Sequence, residues 1–233
     1  MAETNEGTEV LKVAAIVPAY NEEKTIINVL NALKHTPIVG QVIVVSDGSE
    51  DNTAHVVHSY YGNASDGVEI IELLQNRGKG GAVMAGLNRC AAEVILVLDA
   101  DLIGLTTDHI EALLQPVISG EALMSVGIFE NGRVATDLAQ KMAPFLSGQR
   151  ALRRGLLESI SDLDLSRFGL EMALHQYVEE NELAAEVVQL PDLSHVMKEE
   201  KLGFLKGVAA RVKMYWEIVK YAARIDVKPT KSR

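Results

Sequence analysis

The chain is poor in the features that would identify a stapled, membrane-spanning or nucleic-acid-binding protein. It has one cysteine in 233 residues, Cys90, which excludes a disulfide framework and a multi-cysteine metal site. Aromatic residues make up only 5%. Apolar runs reach about eight residues, well short of the roughly 18–20 that a spanning helix needs. There is no excess of basic charge: the formal net charge is -10, which argues against a general binder of phosphate backbones. The start, Met1-Ala2-Glu3-Thr4-Asn5-Glu6-Gly7, is polar and acidic and lacks the basic and apolar stretches of a signal or transit peptide. With 48% hydrophobic and 23% charged residues, the composition is globular. Together these absences make a soluble cytoplasmic protein without nucleic-acid partners the expectation.

The charge is unevenly spread. From Lys198 onward ten basic residues face four acidic ones, a local net of +6 that leaves -16 for the rest of the chain. The same stretch carries apolar residues at helical spacing (Leu202, Leu205, Val208, Val212, Tyr215, Ile218, Val219 and Ala222). Such a helix packs on its own domain, pairs with a second copy as a homodimer, or touches an anionic membrane as a peripheral anchor.

Along the first half, short apolar strands alternate with helical patterns. Strands are expected at Val13–Val17, Val42–Val45, Val68–Leu74 and Val94–Leu98, with helices at 25–33, 53–60 and 80–90 between them. That order predicts a mostly parallel, Rossmann-like sheet in an α/β fold with helices on both faces. The second half is less regular. It suggests helices at 107–117, within 147–160 and at 168–177, strands at 123–129 and 185–190, and a turn at Asn131-Gly132.

In such a sheet, ligands bind beyond the carboxyl ends of the strands. The segments found there are Pro18-Ala19-Tyr20-Asn21-Glu22, Ser46-Asp47-Gly48-Ser49, Asn76-Arg77-Gly78-Lys79-Gly80-Gly81 and Asp99-Ala100-Asp101. Three familiar motifs fail. The dinucleotide fingerprint meets Val83 where its third glycine belongs, the P-loop meets Gly80 where Ser or Thr should follow Lys79, and no nucleophile elbow occurs. What remains is two carboxylates one residue apart at a strand end, Asp99 and Asp101, near a lysine at a glycine-rich helix start. Two carboxylates repel each other and any phosphate, and a hard divalent cation relieves both repulsions by bridging carboxylate and diphosphate oxygens. Lys79 supplies further positive charge, so the parts make a site for a nucleoside diphosphate with Mg²⁺ or Mn²⁺.

Each residue also has an ordinary role to offer. Glu22 suits the dipole of the helix that follows it, Asp47 suits an Asp-Gly turn, and Glu171 suits a helix N-terminus. Lys79 suits a solvated surface, His55 and His58 share one exposed helix face, and Cys90 reads as a small buried side chain.

In these four loops the sequence resembles the family 2 glycosyltransferases of the GT-A fold, over roughly residues 12 to 197. The resemblance implies an α/β/α sandwich with a C-terminal helical extension. It divides the chain into a GT-A domain at 10–197 (nucleotide-sugar half 10–105, acceptor half 106–197), one or more amphipathic helices at 198–225, and a basic tail at 226–233. It implies a UDP- or GDP-sugar donor bound by Pro18, Ala19, Tyr20, Glu22, Asp47, Lys79, Asp99 and Ala100, with Asp101 on the metal. Ser46 stands where many members carry a first aspartate, which leaves open whether Ser46 or Asp47 touches the base.

The later segments are similar to those of polyprenyl- and dolichyl-phosphate sugar transferases and of glucosyl-3-phosphoglycerate synthase. From these come Gly148, Gln149 and Arg150 as acceptor-binding residues, Arg153 and Arg154 as further cations for an anionic acceptor, and His195 as a second metal ligand. Asp101 and Glu171 are the expected catalytic residues, Glu171 as the base or acceptor-positioning carboxylate. The implied activity is metal-dependent transfer of a sugar to a polyprenyl phosphate or to a small phosphorylated acid such as phosphoglycerate. A sugar-phosphate nucleotidyltransferase and a non-catalytic nucleotide-sugar binding module are the competing readings; the first lacks the basic, glycine-rich N-terminal loop expected of it.

Overall fold

The structure, a computed structural model, describes residues 12–62, 67–129, 147–160 and 169–195. The chain forms two compact units, Met1–Ser194 and His195–Arg233, and only His195 of the second is described. The expected helix at 198–225, the tail at 226–233 and the turn at Asn131-Gly132 lie outside the described residues.

Strands β1 (Val13–Ala19), β2 (Gln41–Asp47), β3 (Val68–Leu73) and β4 (Val94–Val97) alternate with helices α1 (Ile26–Lys34), α2 (Thr53–Tyr61) and α3 (Gly78–Leu87). After the two-residue β5 (Leu102–Ile103) come α4 (Thr107–Ile118), β6 (Met124–Phe129), β7 (Arg150–Arg153), α5 (Arg154–Ser159), α6 (Gly169–Glu180), β8 (Ala185–Leu190) and the short β9 (Ser194–His195). Seven strands form one sheet in the order β3-β2-β1-β4-β7-β6-β8. All are parallel except β7, which runs against both β4 and β6. The mostly parallel α/β sheet expected from the sequence is therefore present.

The continuous apolar runs are explained by burial on both faces, since successive strand residues point to opposite sides. Ala15, Val17, Val42, Val44 and Leu96 meet α1 and α4 through Leu30, Leu33, Ile110 and Leu113. Their neighbours Ile16, Ile43, Val45 and Ile95 meet α3, α5 and α6 through Val83, Leu87, Leu157 and Leu174. Truncating one such leucine to alanine costs about 3 kcal/mol. The small residues of α3 let it lie close to the sheet: a Cβ on Gly86 would come within 2.7 Å of the Ile16 side chain.

Two strands differ from expectation. β1 continues through Pro18 to Ala19 rather than stopping before the proline. Ile16 faces β4, accepting from the Leu98 amide at 3.3 Å, and Pro18 lies two residues on, on the same side. There β4 has already ended at Val97, so no ladder bond is lost to the missing N–H. Second, Arg150–Arg153 is a strand, where the sequence suggested only the approach to a helix. Its Ala151 and Leu152 are fully buried, and pairing to β4 and β6 imposes a state that the local pattern Arg-Ala-Leu-Arg does not announce.

Among the described residues no helix is long and apolar enough to cross a membrane.

Candidate active site

β1 pairs with β2 on one side and β4 on the other, so the chain reverses its direction of travel across the sheet at β1. The crevice beyond the carboxyl ends of these strands is where a doubly wound sheet binds ligands. Here it holds a cavity of about 160 Å³. Pro18 and Ala19 line it from the end of β1, Tyr20 from the loop that follows, and Asp47 from the end of β2; Asn76, Gly78, Lys79 and Asp99 complete the wall. A larger cavity of about 500 Å³ lies at the opposite end of the sheet, beside Val13, Gly40, Gln41 and Ala92. Lys12 is its one titratable lining residue, so volume alone does not identify the chemistry.

Asp47 is 3% exposed, and its Oδ1 accepts the Arg77 amide at 2.7 Å, which ties the β2 loop to the β3 loop. Gly48 makes that approach feasible: its φ is +68°, and a Cβ there would lie 2.6 Å from the Asn76 amide nitrogen. Ser46 instead donates to the Ser49 hydroxyl at 3.0 Å and does not line the cavity.

Lys79 sits between two carboxylates. Its Nζ is 2.5 Å from Asp99 Oδ1 and 2.9 Å from Glu171 Oε1. Burial lowers the affinity of this amine for its proton, but the charges of Asp99 and Glu171 and the hydrogen bonds to both together push it well above the ordinary lysine value. Gln149 Nε2 donates to Asp99 Oδ2 at 2.9 Å, so Asp99 is held from two sides. Gly148 lies against this group, and a Cβ there would overlap both Lys79 Nζ and the Asp99 carboxylate. Glu171 is 7% exposed, and its Oε2 has no hydrogen-bond partner among the described residues. A buried acceptor oxygen without a donor is costly and marks a place where a donor is expected.

The expected site residues thus divide. Tyr20, Asp47, Lys79 and Asp99 come together around one cavity, and Glu171, Gly148 and Gln149 join them through Lys79 and Asp99. Asp101 lies on the same loop as Asp99 and is half-buried. Ala19 and Ala100 are buried in the core; Ala19 lines the cavity and Ala100 does not. The Glu22 carboxylate accepts from the Thr25 hydroxyl at 3.1 Å just before α1. Arg150 is 2% exposed, and its guanidinium donates to the Ser147 carbonyl at 3.1 Å. Burial pulls Arg150 down to about 10, opposed by the charges of Glu171 and Asp99, so it remains a cation at neutral pH.

Arg153 and Arg154 do not join the group. β7 runs antiparallel, so Arg150 pairs with Val97 at the carboxyl end of β4 while Arg153 pairs with Val94 at the other end. Arg154 there donates to the carbonyls of Cys90 (2.6 Å) and Leu87 (3.3 Å) and pairs with Glu158 at 2.7 Å, capping α3 rather than meeting an acceptor. His195 opens the second unit, and its metal role stays an expectation of the resemblance. Asn76 was not singled out in the sequence; its only signal was its place after the third strand.

The donor set suits a hard divalent cation, because it offers carboxylate oxygens beside a cavity with room for phosphate oxygens. Asp99 is held by Lys79 and Gln149, and Asp101, two residues on in the same loop, is the side chain that the resemblance would place on the metal. Among the described residues no three His, Cys, Asp or Glu side chains converge on one metal position, so such an ion would need ligand oxygens to complete its shell.

Comparison with known proteins bears on the family and the fold. A mouse dolichyl-phosphate beta-glucosyltransferase is 45% identical over 102 residues, which cover 39% of this chain and 31% of that protein. An undecaprenyl-phosphate 4-deoxy-4-formamido-L-arabinose transferase of Pseudomonas fluorescens is 34% identical over 96 residues, 39% of this chain and 28% of the other. The chain spans less than half the length of these curated relatives. In fold it is similar to glucosyl-3-phosphoglycerate synthase of Mycobacterium tuberculosis, solved with Mn²⁺, UDP and glucosyl-3-phosphoglycerate. That likeness has a TM-score of 0.64 at 23% identity, over 80% of this chain and 72% of that one. Residues 14–174, more than half of the chain, match the sequence model of glycosyl transferase family 2, and the protein belongs to that family.

Proposed function

We propose that this domain binds a nucleoside-diphosphate sugar, UDP- or GDP-linked, and transfers the sugar to an anionic acceptor: a polyprenyl phosphate or a small phosphorylated acid. The observation that carries the reading is Lys79, fixed between Asp99 and Glu171 at the wall of a cavity that also holds Tyr20 and Asp47. Tyr20 is 45% exposed and offers a ring face to a base. Asp47 accepts a donor of the base or ribose, while Ser46 is engaged with Ser49.

In the transfer, the bond between the anomeric carbon and the diphosphate oxygen breaks with its electron pair leaving on the diphosphate. A bond to the acceptor oxygen forms. Lys79 is placed to stabilise the charge that develops on the diphosphate. Asp101 would hold Mg²⁺ or Mn²⁺, which would supply further charge neutralisation there. Glu171 Oε2 is placed to accept the proton of an attacking hydroxyl, and a phosphate acceptor, already anionic, needs no base. The buried charge of Arg150 helps to balance the carboxylates of Glu171 and Asp99.

A second reading of the acceptor rests on Glu171. A buried carboxylate oxygen without a donor favours a hydroxyl over a phosphate oxygen at that position, whereas the relatives named above act on polyprenyl phosphates. Incubating the protein with UDP-glucose and Mn²⁺ in the presence of dolichyl phosphate or 3-phosphoglycerate separates the two by product. Release of pyrophosphate from nucleoside triphosphate and sugar phosphate would favour the nucleotidyltransferase instead. Tight donor binding with neither transfer nor hydrolysis would favour a binding module. A membrane-held acceptor would also suit the basic stretch from Lys198, and co-sedimentation with anionic vesicles, with and without residues after Met197, tests that contact.

A further inference from the structure

The β1–α1 and β2–α2 loops are bound to each other by reciprocal hydrogen bonds. From the first loop, the Asn21 amide donates to Ser49 Oγ at 3.2 Å, the Glu22 amide to Thr53 Oγ1 at 2.8 Å and the Glu23 amide to Asp51 Oδ2 at 3.1 Å. From the second, the Glu50 and Asp51 amides donate to Asn21 Oδ1 at 2.8 and 3.4 Å, and the Asn52 amide to Glu23 Oε2 at 3.0 Å. Each loop thus satisfies backbone amides of the other that have no ladder or helical bonds of their own, in the segments that lead into α1 and α2.

The backbone geometry is committed to this arrangement. Asn21 has a φ of +59°, a conformation that asparagine tolerates better than most residues and that its double acceptor role repays. Burial works against a charged Asp51, but the Thr53 hydroxyl and the Glu23 and Thr53 amides outweigh it and hold its carboxyl below the usual value. None of these side chains lines the cavity. Asn21 nevertheless directly follows Tyr20, and Ser49 lies two residues after Asp47, the two groups that wall the cavity from these loops.

We infer that Asn21, Asp51 and Thr53 are positioning residues that fix the spacing of Tyr20 and Asp47 and so set the affinity for the nucleoside part of the donor. The inference rests on the donor-site reading above. Without the clamp, the loops would have to be ordered at the expense of binding free energy.

The test uses the full chain and two matched pairs of variants. Asn21→Gly keeps the left-handed backbone but loses the acceptor, whereas Asn21→Asp keeps an acceptor oxygen; Thr53→Val loses the hydroxyl, whereas Thr53→Ser keeps it. Calorimetric titration with UDP and Mn²⁺, well below each variant's melting temperature, should show Kd raised about tenfold for Asn21→Gly and Thr53→Val. The two conservative variants should stay within about twofold of the wild type, a rescue that a purely structural loss would not give. Amide hydrogen exchange of residues 49–53 should quicken in Asn21→Gly and not in Asn21→Asp, without any ligand. Unchanged exchange, or a folded Asn21→Gly that binds UDP as tightly as the wild type, overturns the clamp. If the wild type takes up neither UDP nor GDP while exchange responds as expected, the nucleotide reading fails and the clamp between the loops stands.

Discussion

The two sides of the candidate site are built by different means. Asp47 ends the parallel strand β2, Tyr20 and Asp99 sit on the loops just after β1 and β4, and Lys79 lies in the first turn of the helix after β3. Parallel strands within one sheet end on the same edge, so these groups converge by topology alone. Gln149, Arg150 and Glu171 arrive otherwise: the first two at the start of the antiparallel strand β7, the third on a helix whose place is fixed by Leu170 and Leu174 in the core. The first side depends on strand order, the second on long-range packing. Lys79 is where they meet, with Asp99 on one side and Glu171 on the other.

Substitutions can break that comparison at different depths. The largest effect is expected from Asp101→Ala, which should lower the transfer rate by about 10³-fold while leaving the melting temperature near that of the wild type. Rate assays with Mn²⁺ check it. Lys79→Met should uncouple the two sides. It removes the cation bonded to both Glu171 and Asp99, leaves the charge of Arg150 to oppose theirs, and should cost about 3 kcal/mol in urea unfolding. Adding Glu171→Gln should recover part of that loss, and additive losses would show that the two sides are not coupled through Lys79.

Smaller effects are expected away from the junction. Arg154→Ala removes the cap on the carbonyls of Leu87 and Cys90 and should cost about 1 kcal/mol in the same assay without altering UDP affinity. The smallest is a pH effect at His175. Burial pushes its imidazole below 6.5, Glu179 opposes the shift and Arg150 adds to it. The native state therefore takes up this proton less readily than the unfolded chain. The stability contributed by neutral His175 is present above pH 6.5 and declines as the pH falls below it. His175→Gln should flatten that part of the stability curve.

The same division governs what was legible in the sequence. Asp47, Lys79 and Asp99 could be assigned to one edge because each follows an unmistakable apolar strand, and the strand order does the rest. β7 could not be read, since four residues with an arginine at each end show no strand period and take their state from β4 and β6. Missing that strand also misplaced Arg153 and Arg154. Sequence proximity to Arg150 suggested one cationic cluster, but an extended strand carries its two ends to opposite edges of the sheet. Gln149 was assigned to an acceptor, and its bond to Asp99 spans 50 residues of chain that no local pattern encodes. The bonds between Asn21 and the 49–53 loop were hidden for the same reason: Asn and Thr beside a helix start read as ordinary caps until the partner loop is seen.

The central claim is that the edge carrying Asp99 and Asp101 binds a divalent cation together with a nucleoside diphosphate. Electron paramagnetic resonance of Mn²⁺ tests it most directly, because the six-line signal of free Mn²⁺ fades when the ion is bound. With wild-type protein the signal should fade strongly only when UDP is also present, and with Asp101→Asn it should persist at the same concentrations. Equal loss of signal in the two proteins, or loss indifferent to UDP, would contradict the account.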